Sequence, residues 1–133
     1  MICFDTDVVS VFLRRGAPPA AQRRLADMAE ESHFTTSITL GELLYGAVPR
    51  RSASLMNAIQ DYLLRDVTIV PFDEASARVY ASIRVELEAA GRPLHRSDLQ
   101  IAAICLAHDL TLVTGNVRHF ERVPGLRVEN WLA

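Results

Sequence analysis

The chain has 133 residues, half of them apolar and 23% charged, with a formal net charge of −2. That length fits one compact domain with a core of its own, and the composition excludes both a disordered chain and a polycation built to coat nucleic acid. All fourteen basic residues are arginine, so chemistry that needs a lysine amine is excluded, while forked guanidinium contacts to phosphate are plentiful.

Met1–Phe4 reads as a buried first strand, short, apolar and halted by Asp5-Thr-Asp7. Asp7 to Arg14 follows as a helix with Val8, Val11 and Phe12 on one face, stopped by Gly16-Ala-Pro-Pro19; Ala20 to Glu31 is a second amphipathic helix. His33–Thr36 is a second strand. Thr39 and Glu42 have the spacing of a capping box, so a helix is expected from there to about Ala47, broken at Pro49-Arg-Arg-Ser52 and resumed from Ala53 to Leu64. Val67–Val70 is a third strand, and Asp73 caps a helix running to Ala90. Ser97 with Gln100 forms another capping box, opening a helix to His108 that is apolar nearly all round and so belongs in the interior. Thr111–Val113 is a fourth strand, Asn116 to Glu121 a short turn of helix, and Leu126–Glu129 an edge strand.

Strands alternating with helices predict an α/β fold: a three-layer α/β/α sandwich around a mostly parallel sheet of four to five strands, in a single domain over residues 1–133. No apolar stretch approaches the ~20 residues needed to cross a bilayer. An acid at position 5 is incompatible with a secretory signal. Cys3 and Cys105 make no disulfide framework or metal pattern. The expected setting is the reducing cytoplasm, with no membrane partner.

Asp5, Glu42 and Asp98 are far apart in sequence but occupy equivalent places. In parallel α/β folds ligands bind outside the carboxyl ends of the strands. Asp5 stands there directly, and Glu42 lies near the start of the helix returning from the second strand. For Asp98 the argument is one of length: about eleven helical residues span ~16 Å at 1.5 Å each. The four-residue strand that follows climbs back ~13 Å at 3.3 Å each. Asp98 should therefore end near Thr114-Gly115-Asn116. Each acid alone could be a capping or first-turn residue. Together on one edge they would repel, at ~4 Å and intermediate dielectric, by several kcal/mol. A hard divalent cation, Mg²⁺ or Mn²⁺, relieves that repulsion and keeps waters for a phosphate substrate.

The residues that carry this argument also carry a resemblance. Cys3-Phe-Asp-Thr-Asp-Val8, Ser37-Ile-Thr-Leu-Gly-Glu-Leu-Leu-Tyr-Gly46, Gly91-Arg-Pro-Leu-His-Arg-Ser-Asp98 and Leu112-Val-Thr-Gly-Asn116 with His119-Phe-Glu-Arg-Val123 are similar, in order and spacing, to the motifs of PIN-domain ribonucleases, specifically the VapC-type toxins of toxin–antitoxin pairs. The resemblance implies metal-dependent endonucleolytic cleavage of RNA, the family's acids on Asp5, Glu42 and Asp98, a VapB-type antitoxin as partner and a homodimer. Three positions depart from it. Asp7 stands where asparagine is more frequent, Gly115 where arginine is frequent, and Asn116 then His119 where a fourth acid is common, which leaves one or two metals open.

On this reading Asp5 and Asp98 ligate the metal, Glu42 binds directly or through a water, and the ion activates the attacking water. Asn116 completes the catalytic set. Thr114 and Asn116, with Thr6 as a further candidate, orient Asp5 or the water. Arg96 and Arg118, each two residues from a site position, are the first candidates for RNA phosphate; Arg14, Arg15, Arg50, Arg51 and Arg92 are weaker ones. His33, His95, His108 and His119 form no metal set, and Ser97 has no base at triad spacing. The helices bearing Leu43-Leu-Tyr45 and Leu55–Leu64 are expected to serve core and partner surfaces together. Two rival readings stay open. One is a haloacid-dehalogenase-type aspartyl phosphatase on Asp5 and Asp7, opposed by the missing lysine; the other is a non-catalytic partner-binding domain of the same fold.

Overall fold

The computed structural model describes residues 1–29, 32–47 and 52–132, the side chain of Leu64 excepted. Five strands, β1 Ile2–Phe4, β2 His33–Thr36, β3 Thr68–Val70, β4 Thr111–Val113 and β5 Val128–Glu129, form one sheet in the order β3-β2-β1-β4-β5. Every pairing is parallel. Helices α1 Thr6–Arg15, α2 Pro19–Ala26, α3 Ser37–Ala47, α4 Ala53–Arg65, α5 Glu74–Ala89, α6 Arg96–Ala107 and α7 Val117–Phe120 fill the connections. The chain builds outward from β1 through β2 and β3, then crosses back to place β4 on the other side of β1. That reversal leaves a crevice at the carboxyl ends of β1 and β4.

Side chains along the strands alternate between two cores, as the period of two demands. Ile2, Phe4 and Val113 pack with Val8 and Val9 of α1, Ala21 of α2 and Trp131. Cys3 and Leu112 pack on the opposite face with Ile83 and Leu87 of α5 and with α6. The three-layer sandwich follows from this alternation. Residues Ile101 to Cys105 of α6 are all 0% exposed, so the middle of the helix is interior on every side, as its apolar run requires. Each fully buried Ile or Leu there contributes roughly 2 kcal/mol. Among the described residues no helix is long and apolar enough to cross a membrane.

Helix starts differ from the sequence expectation in one consistent way. The Thr39 N–H donates to Thr36 Oγ1 at 3.0 Å, so the last residue of β2 satisfies the start of α3 and the helix begins at Ser37, not at a Thr39 cap. At α6, His95 is the N-cap, its Nδ1 accepting from the Ser97 N–H at 3.4 Å, and Ser97 lies inside the first turn. In both cases an upstream side chain reaches the free amides first, and the downstream box has nothing left to cap. Helix α2 is shorter than expected because the Asp27 N–H turns back to the Arg24 and Leu25 carbonyls. Its expected end at Glu31, and the break expected over Pro49, Arg50 and Arg51, lie outside the described residues.

Candidate active site

The ladder registers determine where the first acid sits. Phe4 pairs with Thr35 on one side and Val113 on the other, so one residue further along Asp5 stands between Thr36 and Thr114. The Asp5 N–H continues the ladder to the Val113 carbonyl at 2.9 Å. Asp5 is also the N-cap of α1, its Oδ1 accepting from the Thr6 N–H at 2.8 Å. Its Oδ2 accepts from the Thr114 hydroxyl at 2.8 Å. Cap and site residue are therefore the same carboxylate, only 4% exposed.

Asp5 and Asp7, Glu42 of α3, Asp98 of α6 and Asn116 line one cavity of about 410 Å³ together with Thr6, Ser10, Val11 and Arg14. The length argument for Asp98 holds: α6 and β4 return the chain to the edge from which they left. Thr6 faces Glu42, donating its hydroxyl proton to Oε1 at 2.7 Å, and Thr39 Oγ1 lies 3.1 Å behind it. Thr36 Oγ1 stands 3.3 Å from Thr39 Oγ1, so a row of threonine hydroxyls runs from the end of β2 to the Glu42 carboxylate.

Thr114 is buried between two acids, 2.8 Å from Asp5 Oδ2 and 3.5 Å from Asp7 Oδ1. One hydroxyl has one proton, and the shorter contact to Asp5 takes it. The same oxygen accepts from the Asn116 N–H at 3.0 Å. Asn116 sits at the start of α7 without making a side-chain cap, which leaves its amide facing the cavity.

Asp7 had no assigned role in the sequence. Its Oδ2 accepts from the Gly115 N–H at 2.8 Å, tying the start of α1 to the loop after β4. A Cβ on Gly115 would lie 2.6 Å from that same oxygen. Glycine at 115 is thus a consequence of aspartate at 7, and the two departures from the family pattern are one packing decision. Only their spatial pairing reveals it.

Like charges at this edge act on one another. Burial pushes the Asp5 carboxyl up to about 7; the Thr114 hydroxyl opposes that rise, and the charge on Asp7 adds to it. Asp98 is raised by burial and by Glu42, with His119 and His95 pulling the other way. Burial is the larger cause at both positions and the neighbouring carboxylates add to it, so a cation at this edge would favour the ionised forms.

Among the described residues no three His, Cys, Asp or Glu side chains close into a ready-made metal cage. Calcium or zinc would want such a cage. A small hard ion held by one or two carboxylates and several waters does not, and an open cavity with acids on three walls and hydroxyls fixing two of them fits that coordination. Arg96 and Arg118 are exposed on α6 and α7 and do not line the cavity; Arg50 and Arg51 lie outside the described residues. Arg14 is the one cation in the wall among the described residues. It shares one stripe of α1 with Thr6 and Ser10, which brings it into the wall.

Comparison with known proteins bears on the family and the fold. The PIN domain family matches residues 2–126. The chain is 39% identical over 132 residues to "Ribonuclease VapC2" of Haemophilus influenzae, covering 96% of both chains. It is 34% identical over 113 residues to "tRNA(fMet)-specific endonuclease VapC" of Shigella flexneri, 85% of this chain and 86% of that one. Among solved structures it is similar to VapBC2 from Rickettsia felis bound to a DNA fragment from its promoter, with a TM-score of 0.85 and 30% identity over 98% of this chain and 99% of the other.

Proposed function

The chain belongs to the PIN-domain family, among its VapC-type ribonuclease toxins, and from that premise we propose that Asp5, Glu42 and Asp98 bind Mg²⁺ or Mn²⁺ and that RNA phosphodiester bonds are hydrolysed between them and Asn116. The observation that carries this reading is the shared cavity, in which four acids from three separate stretches of chain meet and burial, with the neighbouring carboxylates adding to it, raises Asp5 and Asp98.

A divalent ion bound there supplies Lewis-acid chemistry, activating water and shielding charge on the phosphate. The protein's own residues do the rest. Thr114 aims Asp5 by its short hydroxyl contact, and Thr6 holds Glu42 against α1. Asp7 pins Gly115 and so fixes the loop that presents Asn116. Asp98 stands at the start of α6, whose residues Ile101 to Cys105 are fully buried. With no lysine in the chain, an aspartyl-phosphate route through Asp5 lacks its usual charge partner, and hydrolysis by water is the better reading.

The RNA substrate class and a VapB-type antitoxin partner follow from the likeness to VapC ribonucleases and to the VapBC2 complex. We place the protein in the cytoplasm as a homodimer, which sedimentation of the purified chain would check. The test of the site is cleavage of single-stranded RNA by the unchanged protein and by Asp5→Asn and Asp98→Asn. Chelation and either substitution should abolish cleavage; retention by both variants would defeat the assignment.

A further inference from the structure

Helix α1 turns one stripe, Thr6, Ser10, Leu13 and Arg14, toward the space between itself, α3 and α4. Two cavities meet along it. The acidic one, described above, shares Thr6, Ser10, Arg14 and Glu42 with a second cleft of about 370 Å³. Beyond those shared residues this cleft is apolar, walled by Leu43 and Gly46 of α3 and by Leu55 and Ile59 of α4. Its volume lies in the roughly 300–1,000 Å³ range of small-ligand pockets.

Arg14 stands at the junction. Its Nε donates to the Ser10 carbonyl at 3.3 Å, which anchors the guanidinium at its inner edge. Among the described residues its two terminal amino groups have no hydrogen-bond partner and no carboxylate within ion-pair distance. A fork held at one edge and open at the other is the geometry that takes two oxygens of one phosphate.

The geometry points to Arg14 as the residue that binds the phosphate neighbouring the scissile one, with the base of the nucleotide between them lodged in the apolar cleft. The inference rests on the nuclease reading above and deepens it by naming a substrate subsite. An acidic cavity repels a polyanion except where a cation interrupts it, and here that cation lies on the path from the carboxylates to the cleft. Single-stranded RNA can turn a base off its backbone into such a slot, where leucine faces cover the ring and the Ser10 hydroxyl reaches its polar edge. A protein segment laid in the same cleft is the alternative occupant, and abasic substrates separate the two.

The experiment uses the full chain, Mg²⁺ and end-labelled 12-residue single-stranded oligoribonucleotides. The cleaved bond is mapped first, and then each nucleotide flanking it is replaced in turn by an abasic ribose. Arg14→Ala should lower kcat/KM by about 10–50-fold, mainly through KM. It should also make the log–log salt dependence shallower by about 0.7, the share of one phosphate on a single strand. Arg14→Lys should recover the salt slope. One abasic position next to the cleaved bond should cost at least 10-fold, and the others little. Cleavage by Arg14→Ala with unaltered KM and salt slope overturns the inference while leaving the nuclease reading intact. Equal cleavage of every abasic substrate also overturns it, since no base then occupies the cleft. No Mg²⁺-dependent cleavage by the unchanged protein overturns both.

Discussion

Asp5 and Asp73 are both aspartates that follow a strand and cap the helix after it, yet their surroundings push them in opposite directions. Asp73 accepts from the Ser76 N–H at 2.9 Å, from the Ser76 hydroxyl at 2.7 Å and faces His108 Nε2 at 2.8 Å. Those donors, Ser76 foremost, hold its carboxyl down to about 2. Asp5 has the Thr6 N–H and the Thr114 hydroxyl, but it is buried beside Asp7, and its carboxyl is pushed up to about 7. The same capping role is partly exposed and met by several donors in one place, and buried beside other acids in the other. Capping alone explains Asp73 and does not explain Asp5.

Substitution should separate the two most sharply. Asp5→Asn should lower RNA cleavage by roughly 10³-fold, on the scale of removing a group that acts on developing charge, whereas Asp73→Ala should leave cleavage unchanged. Equal losses in a single-turnover assay would break the contrast. Thr114→Val comes next. It removes the donor to Asp5 and the acceptor for the Asn116 N–H, and should cost about 10–100-fold in kcat with the fold retained, as loss of a supporting hydrogen bond does. Full activity in this variant would show that Asp5 needs no aiming.

The pH dependence of stability should run in opposite senses. Asp5 has a folded pKa raised above its usual 3.8 to about 7. Its contribution is therefore fully present below about 3.8 and lost as pH rises through 7. Asp73, held down to about 2, contributes above the usual carboxylate range, and that contribution is lost as pH falls through 2. In chelator, the melting temperature should therefore drop between pH 5 and pH 8, Asp5→Asn should flatten that drop, and Mg²⁺ should restore the loss at pH 8. The smallest effect belongs to Asp73→Ala, whose lost cap should lower the melting temperature by about 4 °C near neutral pH.

Much of this contrast was legible before any coordinates. The runs Ile2–Phe4, His33–Thr36 and Thr111–Val113 are short, rich in aromatic or β-branched residues and punctuated, and all three are strands; the apolar run Ile101–Leu106 placed α6 in the interior. The helix starts of α3 and α6 were less legible. Thr39 and Ser97 have good capping spacing, but Thr36 and His95 sit three and two residues earlier and take the amides. The Asp7–Gly115 contact spans 108 positions and has no local signature at all. Arg14 was readable only as one of seven arginines near helix ends, because its distinction is its place in a wall that α1, α3 and α4 create together.

The central claim, that surplus carboxylate charge at the β1–β4 edge is there to hold a divalent ion, is tested most directly by calorimetric titration of the protein with Mg²⁺ at pH 7. Repeating it in buffers of different ionisation enthalpy counts the protons released. Because Asp5 titrates near that pH, binding should expel a substantial fraction of one proton in the unchanged protein, and both the binding and the release should vanish in Asp5→Asn. Undetectable binding at millimolar Mg²⁺, or the same affinity and proton release in Asp5→Asn, would contradict it.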